Sequence, residues 1–107
     1  MNEVSVVLSA DARRHLHYLL RPGVMKRGEH QRLVNAMAAR LTYQPAVAEG
    51  SVKALRWPNS LDVALELRVL PWRVFYNVDE AEQVVRVVAV GYKVREQLMI
   101  EGQEVEL

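Results

Sequence analysis

The feature that most constrains this chain is an alternation of apolar and polar residues from Asp62 to Val78, broken only at Leu70-Pro71. Val63, Leu65, Leu67 and Val69 share one face of an extended segment, with Ala64, Glu66 and Arg68 on the other. Trp72, Val74, Tyr76 and Val78 then alternate with Arg73, Phe75 and Asn77. So short a break between two alternating runs nearly forces a hairpin. Asp79-Glu80-Ala81-Glu82-Gln83 supplies the next turn. Val84–Val90 follows, aliphatic except for Arg86, as expected of a central strand covered on both sides. Gly91 is expected to end that strand, and Tyr92–Ile100 to form a short helix or an extended tail.

Upstream the periodicity is helical. Val4–Leu8 suits a short buried strand, and the Ser9 hydroxyl is placed to cap a helix carrying Ala12, Leu16, Leu19 and Leu20 on one stripe. Pro22-Gly23 stops it. A second helix, from about Gly28 to Tyr43, puts Leu33, Val34, Met37, Ala38 and Leu41 on one face, with Arg32, Asn35, Ala39 and Arg40 on the other. Loops are marked by Pro45, by Glu49-Gly50-Ser51 and by Pro58-Asn59-Ser60, and Val52–Arg56 between them leads into the sheet. The order is β-α-α-β-β-β. It predicts an α+β fold of two layers, with a helical hairpin over positions 63 to 69 and the opposite sheet face exposed. The 107 residues are expected to form one domain, with about 101–107 as a flexible tail.

Composition narrows the chemistry. Cysteine is absent, which excludes disulfides and thiolate metal sites. No apolar run approaches the roughly 20 residues of a membrane helix, and residues 1–8 lack the basic start of a signal peptide. A soluble, cytoplasmic protein without membrane contact is expected. No carboxylates or histidines recur at metal-ligand spacing, so neither metal nor cofactor is expected; His15 and His17, two apart on a helix, cannot face one ion.

The net charge of +1 conceals an asymmetry: residues 11–43 carry seven basic side chains against two acids, and residues 79–107 three against seven. A basic helix pair suits a phosphate backbone or an acidic protein segment, although charges on a helix also serve plain solvation. In the sheet, Arg68 and Arg73 flank the tight turn, Lys93 and Arg95 follow Gly91, and Lys53 and Arg56 precede the first hairpin strand. Converging at one end of a sheet, such cations hold phosphates and stabilise the charge that builds during in-line attack. RNA brings its own nucleophile, the 2′-hydroxyl, so a base, an acid and cationic stabilisation suffice. Glu66 is a candidate base among these arginines.

The hairpin with aromatic-Arg-aliphatic at Trp72-Arg73-Val74, the Tyr76-Asn77-Val78-Asp79 end, and the Val-Gly strand end followed by basic residues resemble the RelE/ParE superfamily of small bacterial toxins. The resemblance implies an antitoxin partner and inhibition of translation by metal-independent cleavage of messenger RNA on the ribosome. It also admits a ParE-like inhibitor of DNA gyrase without nuclease activity, or a non-toxic antitoxin-binding relative. It implies that Arg73, Arg68, Lys93 and Arg95 serve the chemistry, and that Lys53, Arg56 and Tyr92 contact RNA. The lysines of the nuclease members' first hairpin strand correspond here to Ala64 and Glu66, and their C-terminal tyrosine to Met99, with Tyr92 nearby at a different register.

Overall fold

A computed structural model describes residues 4–107. The elements are β1 (Ser5–Leu8), α1 (Ala10–Leu19), α2 (Arg27–Leu41), β2 (Val52–Ala54), β3 (Leu65–Val69), β4 (Trp72–Asp79), β5 (Val84–Val94), β6 (Gln97–Ile100) and β7 (Gln103–Glu104). The sheet runs β2-β3-β4-β5-β6-β7, antiparallel at each step, and β1 pairs in parallel with the first part of β5. Both helices pack on one face, giving the expected two-layer α+β architecture.

The local reasons are visible residue by residue. Ser9 Oγ accepts the Ala12 N–H at 2.9 Å, capping α1. The stripe that α1 buries is Ala12, His15 and Leu19; Leu20, expected in it, lies in the cap and is 52% exposed. In α2 only Leu33, Met37 and Leu41 are buried, while Val34 and Ala38 face outward. The core between the layers joins these side chains to Leu65, Leu67, Val74, Tyr76, Val85, Val87 and Val90. The Tyr76 hydroxyl donates to the Pro45 carbonyl at 2.6 Å, and burial pushes its pKa up to about 12.

β5 has a bulge that sorts its side chains. Phe75 pairs with Ala89 and Tyr76 with Val87, so Val88 is an extra residue. Val85, Val87 and Val90 can therefore all face the helices, while Ala89 and Gly91 turn the other way.

The first strand, expected to be buried, is exposed at residues 5–7 and half-buried at Leu8, and two further expectations are corrected. Gly91 does not end the strand: β5 continues to Val94, and Tyr92–Ile100 holds no helix but a hairpin in which the last residues of β5 pair with β6, Tyr92 opposite Met99. Arg95 and Glu96 form its turn, both with positive φ (50° and 69°), as the favoured two-residue hairpin turns require. At Gly91 a Cβ would run into the Met99 carbonyl oxygen and the Ile100 side chain, so the glycine is needed for close approach of β6. Residues 101–107 contain β7, and Val105 N–H bonds the Leu98 carbonyl at 2.9 Å.

The second correction concerns the sheet face away from the helices, which is covered in part. Val63, Phe75, Ala89, Leu98 and Ile100 form a smaller core there, with Leu55, Leu61 and Val105 packed against it. Val63, expected beneath the helices with Leu65, Leu67 and Val69, lies in this smaller core instead, because β3 begins only at Leu65 and the backbone before it turns through a positive φ at Asp62 (56°). Within β3, alternation fixes which residues share a face but not whether that face meets water.

β5 also shares one edge between two partners. β1 pairs with residues 84–87 and β6 with 92–94, leaving a gap. Helix α1 fills it: Val90 N–H donates to His15 Nδ1 at 3.2 Å, and Ser9 Oγ donates to the Val88 carbonyl at 3.1 Å. No helix of the described residues is long and apolar enough to cross a membrane.

Candidate functional site

The register of four strands assembles a charged cluster on the side away from the helices. Arg68 lies directly opposite Arg73, Arg73 opposite Gly91, and Lys53 opposite Glu66. Paired residues share a face, and so do residues two apart, which puts Lys53, Glu66, Arg68, Arg73 and Lys93 on one side of the sheet. The short β3–β4 turn makes this possible, because it fixes Arg68 against Arg73 with no freedom to slip.

Glu66 is the centre of the cluster. Its Oε1 accepts the Arg68 Nε–H at 3.1 Å, and its Oε2 lies 3.8 Å from Arg73 Nε. The carboxylate is only 3% exposed, and Arg73, expected on an open face, is only 8% exposed. The Arg68 side chain, at 43%, carries the cluster to solvent. Arg73 donates from Nη1 to the Trp72 carbonyl at 3.1 Å, and its buried Nε has no hydrogen-bond partner among the described residues. Burial lowers the Arg73 pKa, Glu66 opposing and neighbouring Arg68 adding to the shift; the guanidinium nonetheless stays charged. Two guanidinium groups thus bracket one carboxylate, an arrangement able to bind a phosphate and to accept a proton beside it.

The remaining candidates are spread around this centre. Lys93 is half-buried; its N–H bonds the Pro71 carbonyl at 3.0 Å, and its side chain lines a shallow cavity of about 320 Å³ with Glu96, Glu104 and Glu106. Arg95 is exposed in the β5–β6 turn. Arg56 sits in the loop beyond β2, at the end of the sheet away from Leu70-Pro71, so it does not join Arg68 and Arg73. Tyr92 does not line this face. One residue out of step with Lys93, it turns to the helix side and packs edge-on to Trp72 with ring centroids 5.9 Å apart. Burial and Tyr18 raise its pKa.

Two residues that the sequence did not assign to the site lie at opposite ends of β3. Arg32 of α2 donates from Nη2 to the Leu70 carbonyl at 2.6 Å, bringing a helix cation to the hairpin tip. Trp57, in the loop after β2, is 58% exposed. An isolated tryptophan beside proline carries no periodic signal, so only the three-dimensional placement reveals it. Among the described residues, no three metal-donor side chains converge.

No protein-family model matches the sequence, nor does any curated protein. Solved structures do match its shape. The RelBE2 toxin–antitoxin complex of Mycobacterium tuberculosis aligns with a TM-score of 0.65 at 21% identity, over 86% of this chain and 100% of that one. The archaeal RelE–RelB complex of Pyrococcus horikoshii gives 0.62 at 19%, over 86% and 97%. The YoeB dimer of Staphylococcus aureus gives 0.59 at 16%, over 87% and 100%. Two helices packed on a mainly antiparallel sheet, over 86–87% of the chain, are what these proteins have in common with it: the chain has the fold of the RelE-type toxins.

Proposed function

We propose that this chain is the toxin of a type II toxin–antitoxin pair and that it stops translation by cutting messenger RNA on the ribosome without a metal ion. The observation that carries the reading is the Glu66–Arg68–Arg73 cluster on one face of a fold shared with solved RelE and YoeB proteins. In the proposed reaction the 2′-hydroxyl of a nucleotide attacks the adjacent phosphorus. Glu66 takes its proton, and Arg68 and Arg73 stabilise the negative charge gathering on the phosphoryl oxygens. The 5′-oxygen bond breaks and water supplies the leaving proton, giving a 2′,3′-cyclic phosphate and a 5′-hydroxyl. Arg68, the most exposed of the three, turns from Glu66 to the phosphate and frees the carboxylate. Lys53 and Lys93 flank the path, with Arg95 beyond.

The partner is an antitoxin. Val6, Leu8, Leu16, Val34, Met37, Ala38 and Thr42 line an apolar groove of about 340 Å³ beside β1, whose outer edge is unpaired among the described residues. A partner segment that adds a strand to β1 and seats apolar side chains in this groove satisfies both features.

The test is a translating extract given the purified chain and one defined transcript. Cuts bearing 5′-hydroxyl ends, slowed about 10²- to 10³-fold by Glu66→Gln or Arg73→Gln, support the reading; an intact transcript in a fully active extract refutes it. The burial of Arg73 at 8% exposure favours one alternative, a ParE-like gyrase inhibitor that performs no hydrolysis. That reading requires DNA synthesis to stop while transcripts stay whole.

A further inference from the structure

We propose that Trp57 is a stacking platform for an unpaired RNA base, set at the rim of the charged face; the inference rests on the ribonuclease reading above. The loop that carries it is built to hold one shape. Asn59 spans it with all four of its hydrogen-bonding positions: Nδ2 donates to the Arg56 carbonyl at 2.9 Å and the Val63 carbonyl at 2.7 Å, and Oδ1 accepts the Leu61 and Val63 N–H groups at 3.2 Å each. Leu55 and Leu61 pack inward on the smaller core, on the same side of the sheet as Arg73, and the Ser60 hydroxyl donates to the Glu106 carbonyl. The loop is therefore fastened along its length, and it borders the face that carries Glu66.

Trp57 is the one large apolar side chain of this loop left outside. It is 58% exposed, and no other is exposed between residues 48 and 69. A rigid loop that presents an indole costs little conformational entropy when a ligand stacks on it. Its neighbours Arg56, Asn59 and Ser60 are polar, and Lys53 precedes it on β2. Protein hot spots favour desolvated pockets in which anchors pack together. A lone aromatic that directly follows Arg56, with Lys53 four residues before it on β2, instead matches single-strand recognition, where cations follow the backbone and an aromatic face takes a base of any identity. The path from Arg68 to this rim covers three residues of β3 at about 3.3 Å each, then the few residues of loop beyond Ala54. A single strand cut at Glu66 would place a base a few nucleotides away over Trp57.

Tryptophan emission tests this directly, because the only other tryptophan, Trp72, is 3% exposed. A mixed-sequence single-stranded RNA of about ten nucleotides is titrated into the full chain. Stacking quenches the emission, and Trp57→Phe abolishes the quench while keeping affinity within a few-fold. Trp57→Ala weakens binding about 5- to 150-fold, the equivalent of one stacked base, with the salt dependence unchanged. Arg56→Ala instead flattens the salt dependence by about 0.7 per phosphate lost. Wild-type affinity in Trp57→Ala, alongside a clear loss in Arg68→Gln, overturns the platform and leaves the ribonuclease reading standing. Trp57→Ala that keeps RNA but no longer captures the antitoxin also overturns it. A wild-type chain that binds no RNA overturns both.

Discussion

Arg73 is held by burial as much as by charge, which changes what its substitution does. With Nε 3.8 Å from Glu66 and no other partner there, its removal leaves the carboxylate 3% exposed with Arg68 alone. Arg73→Gln should lower the cleavage rate about 10²- to 10³-fold, a loss of about 3–4 kcal/mol in transition-state stabilisation. It should also lower folding stability, by about 1–3 kcal/mol, since a buried charged group loses its partner. Urea melts run beside the cleavage assay separate the two effects; unchanged stability would contradict the buried placement. His15 offers a second test at this scale. Burial lowers its pKa from the ordinary 6.5; Arg14 adds to the shift, while Glu101, with its Oε1 3.5 Å from Nε2, and Asp11 oppose it. The unfolded chain therefore takes up the proton first, and stability, full above about pH 6.5, falls as the pH drops below that value. His15→Ala should remove this acid slope. At neutral pH it should cost about 1–3 kcal/mol, because Val90 N–H loses its acceptor. Melts of both proteins at pH 7.5 and pH 5.5 check the sign; a slope that survives in His15→Ala assigns it to another group.

At the scale of elements, the β3–β4 hairpin was legible in the sequence, and the β5–β6 hairpin was not. The first combines sustained alternation with a two-residue break containing proline, which leaves one solution. The second turns on Arg95-Glu96, residues that seldom adopt positive φ, so the usual Gly, Asn or Asp signal is missing. The alternation itself continued, with Tyr92 and Val94 against Lys93 and Arg95, and Gly91 was a contact point within the strand rather than its end. The members of the charged cluster could likewise be read from alternation. The burial of Glu66 and Arg73 could not, because alternation says which residues share a face and not what covers it; on this side of the sheet a smaller core is completed by residues distant in sequence, among them Leu98 and Ile100 of β6. Gly91→Ala tests this junction. The added methyl meets backbone at Met99, which cannot rotate away, and the substitution should cost at least about 1–3 kcal/mol. Hydrogen exchange should place the loss in β5 and β6; a variant as stable as the wild type would mean that β6 does not lie against Gly91.

Across the whole molecule, the strand cluster and the basic helical region meet at the β3–β4 turn, where Arg32 bonds Leu70 and the Arg68–Arg73 pair begins. The groove beside β1 lies between Val6 and Val34, apart from that charged face, and the proposed antitoxin therefore has two surfaces to occupy. Its binding should be mainly hydrophobic, with a salt-sensitive on-rate. A co-expressed complex should survive a pull-down at about 1 M salt, where the Debye length is about 3 Å, and Val34→Glu should abolish capture. Complete dissociation in high salt would make the contact purely electrostatic and remove the groove from it. The central claim, that this fold and this cluster cut messenger RNA, is tested most directly by inducing the chain without its partner and following protein synthesis, DNA synthesis and transcript ends together. The expected result is that protein synthesis stops first, with transcripts cut to 5′-hydroxyl ends, and that Glu66→Gln and Arg73→Gln at matched expression do neither. Arrest of DNA synthesis first, with transcripts intact, would contradict the account and pass the protein to the gyrase reading.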